Sequence, residues 1–246
     1  MSAIRDNLVR IRERIERAAY KVRRRADEIT LVAISKTHPA NTIREAHELG
    51  VRHFGENRIQ EWESKRNLLP DLDATWHMVG HLQSNKAARA VRLFHTIDAV
   101  DRSSLAERLD RERQNQHREA GKPGGSFLRA PVGRMRVLIE VKLDSKSAKS
   151  GVDYEDLEAL AKRIRELPGL ELRGLMAVPP YFEEPEHARP YFRRLSELRD
   201  ALQGEFGAGS FPVLSMGMSH DFEIAIEEGA TEIRVGTALF GDRPRA

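Results

Sequence analysis

The sequence predicts a single (β/α)8 TIM barrel with an extra N-terminal helix, an α/β fold occupying residues 1–246 as one domain. Eight short runs rich in β-branched residues recur from residue 30 onward, and stretches of helical periodicity separate them. The 246 residues also match one such barrel, which takes about 250. Strands alternating with helices form βαβ units and therefore a parallel sheet, and eight repeats favour closure over an open sheet. An open, doubly wound sheet usually carries a G-x-G-x-x-G loop after its first strand, whereas this strand runs into Lys36, Thr37, His38 and Pro39.

Ile4, Leu8, Ile11, Ile15 and Val22 recur at helical spacing among arginines and glutamates, which predicts an amphipathic helix over 3–25. Its basic face reads as a solvated surface. Strands are expected at 31–35, 51–55, 75–80, 94–98, 136–141, 171–178, 213–216 and 232–235, with helical segments at 42–49, 103–114, 154–167 and 186–203. Residues 115–134, with Gly121, Pro123, Gly124, Gly125, Pro131 and Gly133, read as a long surface loop between the fourth helix and the fifth strand. Because it leads from a helix back to a strand, it belongs to the face opposite the active rim of a barrel.

Composition removes several function classes. Without cysteine there is no disulfide, thiolate metal site or cysteine nucleophile, and a cytoplasmic setting is favoured. No apolar stretch approaches the roughly 20 residues of a membrane span. Asp6, Glu13 and Glu16 argue against a transit peptide. A net charge of +3, with no basic stretch interleaved with aromatics, gives little footprint for nucleic acid.

In a barrel, reactive residues gather where strands end. Those positions are Lys36, Asn57, 77–81, Asp98, Lys142, Met176, Pro179, Ser219, Arg234, Gly236 and Thr237. Lys36 closes an apolar strand, where desolvation lowers an amine's pKa and readies it to attack an aldehyde. The competing reading is a solvated lysine at a strand end. Loops after the seventh and eighth strands of this fold often build a phosphate site from backbone N–H groups. Here they read Met216-Gly217-Met218-Ser219 and Gly236-Thr237, although ordinary turns also use Gly and Ser. His77 and His81 straddle Gly80 at a strand end without a third ligand, so no metal site is expected.

The segments LVAISKT (31–37), FGENRIQ (54–60), WHMVGHLQSNK (76–86), GLMAVP (174–179), LSMGMSHD (214–221) and IRVGTALFG (233–241) resemble, in order, the pyridoxal phosphate homeostasis proteins, the YggS/PROSC family. That family is similar in fold to the barrel domain of alanine racemase. The resemblance implies pyridoxal 5'-phosphate held as a Schiff base on Lys36, its phosphate at Ser219, Gly236 and Thr237, and Arg234 near the pyridine nitrogen. Asn57, Met176 and Ser215 are implied as wall positions, with His77 a weaker one. A guanidinium beside the ring nitrogen disfavours its protonation and makes the ring a poorer electron sink. His38 stands where the family often has a second lysine, and the 115–134 loop is longer than the family pattern.

Racemisation on this cofactor needs acid/base groups on both faces of the substrate; the resemblance implies that the racemase takes its tyrosine from a second domain of the partner subunit, and no equivalent of that domain is expected here. The expectation is therefore a non-catalytic protein for intracellular cofactor buffering or delivery, a monomer, with pyridoxal phosphate-dependent apoenzymes as partners and no membrane or nucleic acid. The alternatives are a racemase-like enzyme using Glu56, His81 or Lys142, and a cofactor-free aldol enzyme built on Lys36.

Overall fold

The computed structural model describes residues 2–120, 133–144 and 150–242. Eight strands, β1 (Thr30–Ile34), β2 (His53–Glu56), β3 (Thr75–Met78), β4 (Thr96–Val100), β5 (Met135–Glu140), β6 (Leu170–Met176), β7 (Val213–Met218) and β8 (Glu232–Val235), pair in parallel in chain order. The β1–β8 pairing, with Val32 opposite Arg234, closes the barrel.

α1 (Ala3–Lys21) precedes the barrel, and its N-terminus is capped by the Ser2 side chain. It buries Ile4, Leu8, Ile11 and Ile15, as their spacing requires. Arg14 of its basic face is not simply solvated: it makes a bidentate ion pair with Glu223 at 2.6 and 2.7 Å. The outer ring continues with α2 (Ala40–Glu48), α3 (Ile59–Arg66), α4 (Ala87–Leu93), α5 (Ser103–Ala120), α6 (Leu157–Arg165), α7 (Arg189–Phe206), α8 (Phe222–Glu227) and α9 (Thr237–Phe240). Residues 115–120, expected to open the long loop, instead form the last turns of α5. The segment HREA has no helix breaker, so the helix runs on until the first glycine. Residues 121–132 of that expectation lie outside the described residues.

Strand alternation sorts the side chains. Ala33, Phe54, Trp76, Ile97, Val137, Leu175, Leu214 and Ile233 join the large apolar core between sheet and helices. The opposite set faces the barrel axis, where a small apolar cluster of Ala99, Leu138 and Met176 forms. Other axial positions carry His77, Asp98, Ser215, Glu232 and Arg234, all buried, alongside the apolar Val32 and Ile34 of β1. Barrel interiors are ordinarily filled by layers of bulky aliphatic residues, so a charged axis marks this interior as specialised.

Candidate functional site

β1 ends in a turn whose every residue is accounted for. Ser35 faces away from the axis, and its Oγ donates to Glu56 Oε1 at 2.7 Å. Alternation then sends the half-buried Lys36 toward the barrel mouth. Thr37 follows at φ +67°, a left-handed conformation that costs a β-branched residue about 1–3 kcal/mol. Side chains of α3 hold this shape. The Thr37 N–H donates to the Glu61 carboxylate, and Lys65 Nζ donates to the Ser35 carbonyl at 2.9 Å, to Glu56 Oε1 at 3.1 Å and to Glu61 Oε1 at 2.6 Å. Burial drives the Glu56 carboxyl above its ordinary value against the pull of Lys65. Burial also opposes charge on Glu61, but Lys65 and the Thr37 amide outweigh it and leave that carboxyl below its ordinary value.

On the neighbouring strand β8, Arg234 is fixed from two sides. Nη1 donates to Ser215 Oγ at 2.7 Å and Nη2 to the Ala177 carbonyl at 2.8 Å. Burial pushes the guanidinium below its usual value, while Glu232, Asp98, Glu140 and Asp221 pull it back up. Beneath it, the His77 Nδ1 and Asp98 Oδ2 atoms are 2.9 Å apart, and His77 Nε2 is 3.0 Å from His53 Nδ1. Burial opposes charge on His77, yet Asp98 and Glu232 raise its pKa; desolvation lowers His53 to about 4. His77, Asp98 and Glu232 bring ligating atoms within 4.8 Å of one another, but both His77 ring nitrogens are already engaged. His81 is elsewhere, 3.4 Å from Asp101.

The two closing loops meet on one atom. Ser219 Oγ accepts from the backbone N–H groups of Gly236 and Ala238, both at 3.2 Å. Their meeting depends on an irregularity in β7: Ser215 sits opposite Glu232 and Met218 opposite Arg234, so three steps of β7 match two of β8. Gly217 makes that bulge possible at φ +91°, and a Cβ there would lie 2.5 Å from Ala225 Cβ. Asp221 Oδ1 accepts from the Met218 N–H at 2.6 Å and secures the following turn.

Lys36, Ser215, Ser219, Arg234 and Gly236 thus lie on three adjoining strand ends, with Met176 on the axis beside them and the exposed Thr237 one residue beyond Gly236. Asn57 sits half-buried after β2, where Gly80 packs so closely that a Cβ would come within 2.4 Å of the Asn57 carbonyl. Glu56 faces the opposite way from the mouth, locked to Lys65, so it does not stand where a second acid/base group is needed. Lys142 is 3.6 Å from Asp153. Sequence reasoning missed Glu140 at the end of β5. This carboxyl is buried, and burial raises its pKa; Oε1 accepts from Ser150 at 2.9 Å and Oε2 has no hydrogen-bond partner. The available signal was an acid directly after the apolar run Val137–Ile139.

Comparison with known proteins agrees with this geometry. The family model described as "Alanine racemase, N-terminal domain" matches residues 2–244. The pyridoxal phosphate homeostasis protein of Aquifex aeolicus is 43% identical over 238 residues, 97% of this chain and 97% of the relative. That of Pseudomonas aeruginosa is 42% identical, covering 99% of this chain and 97% of the relative. Among solved structures, PipY of Synechococcus elongatus with PLP bound superposes with a TM-score of 0.79 at 36% identity, covering 97% of this chain and 100% of PipY. By these matches the chain belongs to the alanine racemase N-terminal domain family and, within it, to the pyridoxal phosphate homeostasis proteins.

Proposed function

We propose that this chain binds pyridoxal 5'-phosphate as a Schiff base on Lys36 and serves intracellular homeostasis of that cofactor, holding it and handing it on without substantial turnover of amino acids. The observation that carries this reading is the pairing of a strand-end amine on β1 with a guanidinium locked on β8, beside loops whose backbone N–H groups converge on Ser219 Oγ. These groups suit a ligand with an aldehyde at one end, a ring nitrogen accepting a hydrogen bond, and an anionic tail. When bound, the cofactor supplies an electrophilic carbonyl conjugated to an electron-withdrawing ring. Lys36 is the nucleophile; Ser219, Gly236 and Thr237 bind the phosphate; Arg234 faces the ring nitrogen; and Asn57, Met176 and Ser215 line the walls. A fixed cation at the ring nitrogen withholds the proton that would make the ring a strong electron sink, which suits storage better than carbanion chemistry.

The same reading takes residues 1–246 as one barrel domain, acting in the cytoplasm as a monomer and giving the cofactor to apoenzymes. Among the described residues no helix is long and apolar enough to cross a membrane. Of the tyrosines, Tyr20, Tyr154 and Tyr181 are exposed, and Tyr191 packs against Phe182, which supports a carrier over a racemase. The decisive measurement is borohydride reduction of the loaded protein followed by peptide mass spectrometry, with the adduct expected on Lys36; an unmodified Lys36 overturns the proposal.

Glu140 favours one alternative, a racemase-like enzyme in which this buried carboxyl moves a proton opposite Lys36. Incubation of loaded protein with each L- and D-amino acid separates the readings. Unchanged chirality is expected of the carrier, and racemisation abolished by Glu140→Gln would establish the enzyme.

A further inference from the structure

We propose that the Glu61–Lys65–Glu56 cluster on the outer side of β1 and β2 is the positioning device for the Lys36 amine, and that it sets how tightly the lysine keeps its carbonyl partner. The inference rests on the reading of Lys36 as the imine-forming residue.

Both neighbours of Lys36 are held by the same helix. On one side the Ser35 carbonyl accepts from Lys65 Nζ at 2.9 Å and from the His38 N–H at 3.1 Å, while Ser35 Oγ is bonded to Glu56. On the other side the Thr37 N–H is bonded to Glu61, with Thr37 in a left-handed conformation that threonine does not adopt unaided. Glu61 and Lys65 are one helical turn apart and joined at 2.6 Å, so the two restraints act as a unit. The helix that carries them is itself fixed: the Trp62 ring stacks on Trp76 of β3 at 3.6 Å, and Trp62 Nε1 donates to the Leu93 carbonyl at 3.0 Å. Glu56 and Lys65 are buried against Ser35, which faces away from the axis, and Glu61 is committed to the Thr37 N–H and to Lys65. They act on the direction from which Lys36 enters.

The covalent step makes that direction matter. The Lys36 nitrogen adds to the aldehyde carbon, a C=N bond forms, and the carbonyl oxygen leaves as water. Release is the reverse, with one water consumed, or exchange in which an incoming primary amine takes the carbon and Lys36 Nζ departs as the free amine. A turn that holds the amine where the phosphate and ring sites also engage keeps the imine closed, whereas a relaxed turn lets the same bond open without disturbing the barrel.

The test uses the full chain loaded with pyridoxal phosphate. Glu61→Ala removes the acceptor of the Thr37 N–H at a partly exposed position, whereas Glu61→Gln keeps an oxygen acceptor. Circular dichroism first verifies that each variant is folded. The rate of cofactor loss to excess hydroxylamine is then followed by decay of the visible imine band, together with the pH titration of that band. Glu61→Ala is expected to keep the band, to release roughly ten- to a hundredfold faster and to show a displaced imine titration, with Glu61→Gln close to native. Release by Glu61→Ala within twofold of native, with an unmoved titration, overturns the positioning role. A native protein that shows no visible band under saturating cofactor removes the Lys36 reading itself, and this inference with it.

Discussion

Arg234 reaches across from β8 to β7, where its Nη1 lies 2.7 Å from Ser215 Oγ. The contact joins the two strands whose loops close the mouth, and it aims a buried cation that is also held by the Ala177 carbonyl. Ser215→Ala removes one of two fixed acceptors and leaves Arg234 buried. We expect a stability loss of about 1–2 kcal/mol and weaker cofactor binding, measured by urea unfolding and by titration of the visible band. Arg234→Met leaves Glu232 and Asp98 with His77 alone to offset their charge, and should cost about 3–5 kcal/mol. A variant as stable as native would show that the axial charges do not depend on the guanidinium.

Gly217→Ala places a Cβ at φ +91° and 2.5 Å from Ala225 Cβ. Neither the strained backbone nor the contact with α8 can relax without straightening the β7 bulge. A drop of more than about 2 kcal/mol is expected in thermal or urea melts, together with loss of cofactor affinity because Ser219 loses its alignment.

Lys65→Met leaves Glu56, fully buried, with only the Ser35 hydroxyl against one oxygen; the other has no partner even in the native protein. The expected penalty is about 3–5 kcal/mol, partly recovered in Lys65→Met/Glu56→Gln, where the uncompensated charge is gone. Equal stability of the single and double variants would contradict a buried ion pair.

His53 has its pKa lowered to about 4, mainly by desolvation and then by the neighbouring His77. Between its unfolded value near 6.5 and about 4, the unfolded chain binds a proton that the folded chain refuses, so this group lowers stability as pH falls through that window. His77 has the opposite shift: its contribution is fully present below pH 6.5 and is lost as pH rises through its raised folded value. It is therefore silent in the acid window, whereas Glu56, Glu140, Asp221 and Glu232, whose carboxyls burial raises, work against His53 as pH falls. Urea unfolding between pH 7 and 4.5 should show a shallower acid loss in His53→Gln than in native protein; identical slopes would mean that His53 is protonated in the fold.

Much of this was legible in the chain. The eight strands lie within a few residues of the β-branched runs, because parallel strands buried on both faces need apolar side chains. The short helices α3 and α4 left a weaker pattern. In α3 the apolar Ile59 and Trp62 are followed on the same face by Lys65, whose burial depends on partners far along the chain. Residues 115–120 read as loop because the glycines beyond them dominated the window, while the segment itself contains no breaker.

The sequence by itself determined the barrel, through strand and helix periodicity, and identified Lys36, Ser219, Arg234 and Gly236 as strand-end residues, because position along a strand is a local property. Only the tertiary structure decided what those residues touch. Arg234 on Ser215, Ser219 under two backbone N–H groups, Glu56 turned away from the mouth, and the α3 clamp on Thr37 all join segments separated in sequence. Burial then sets which charged groups are paired and which way their protons shift, and burial exists only once the sheet has closed.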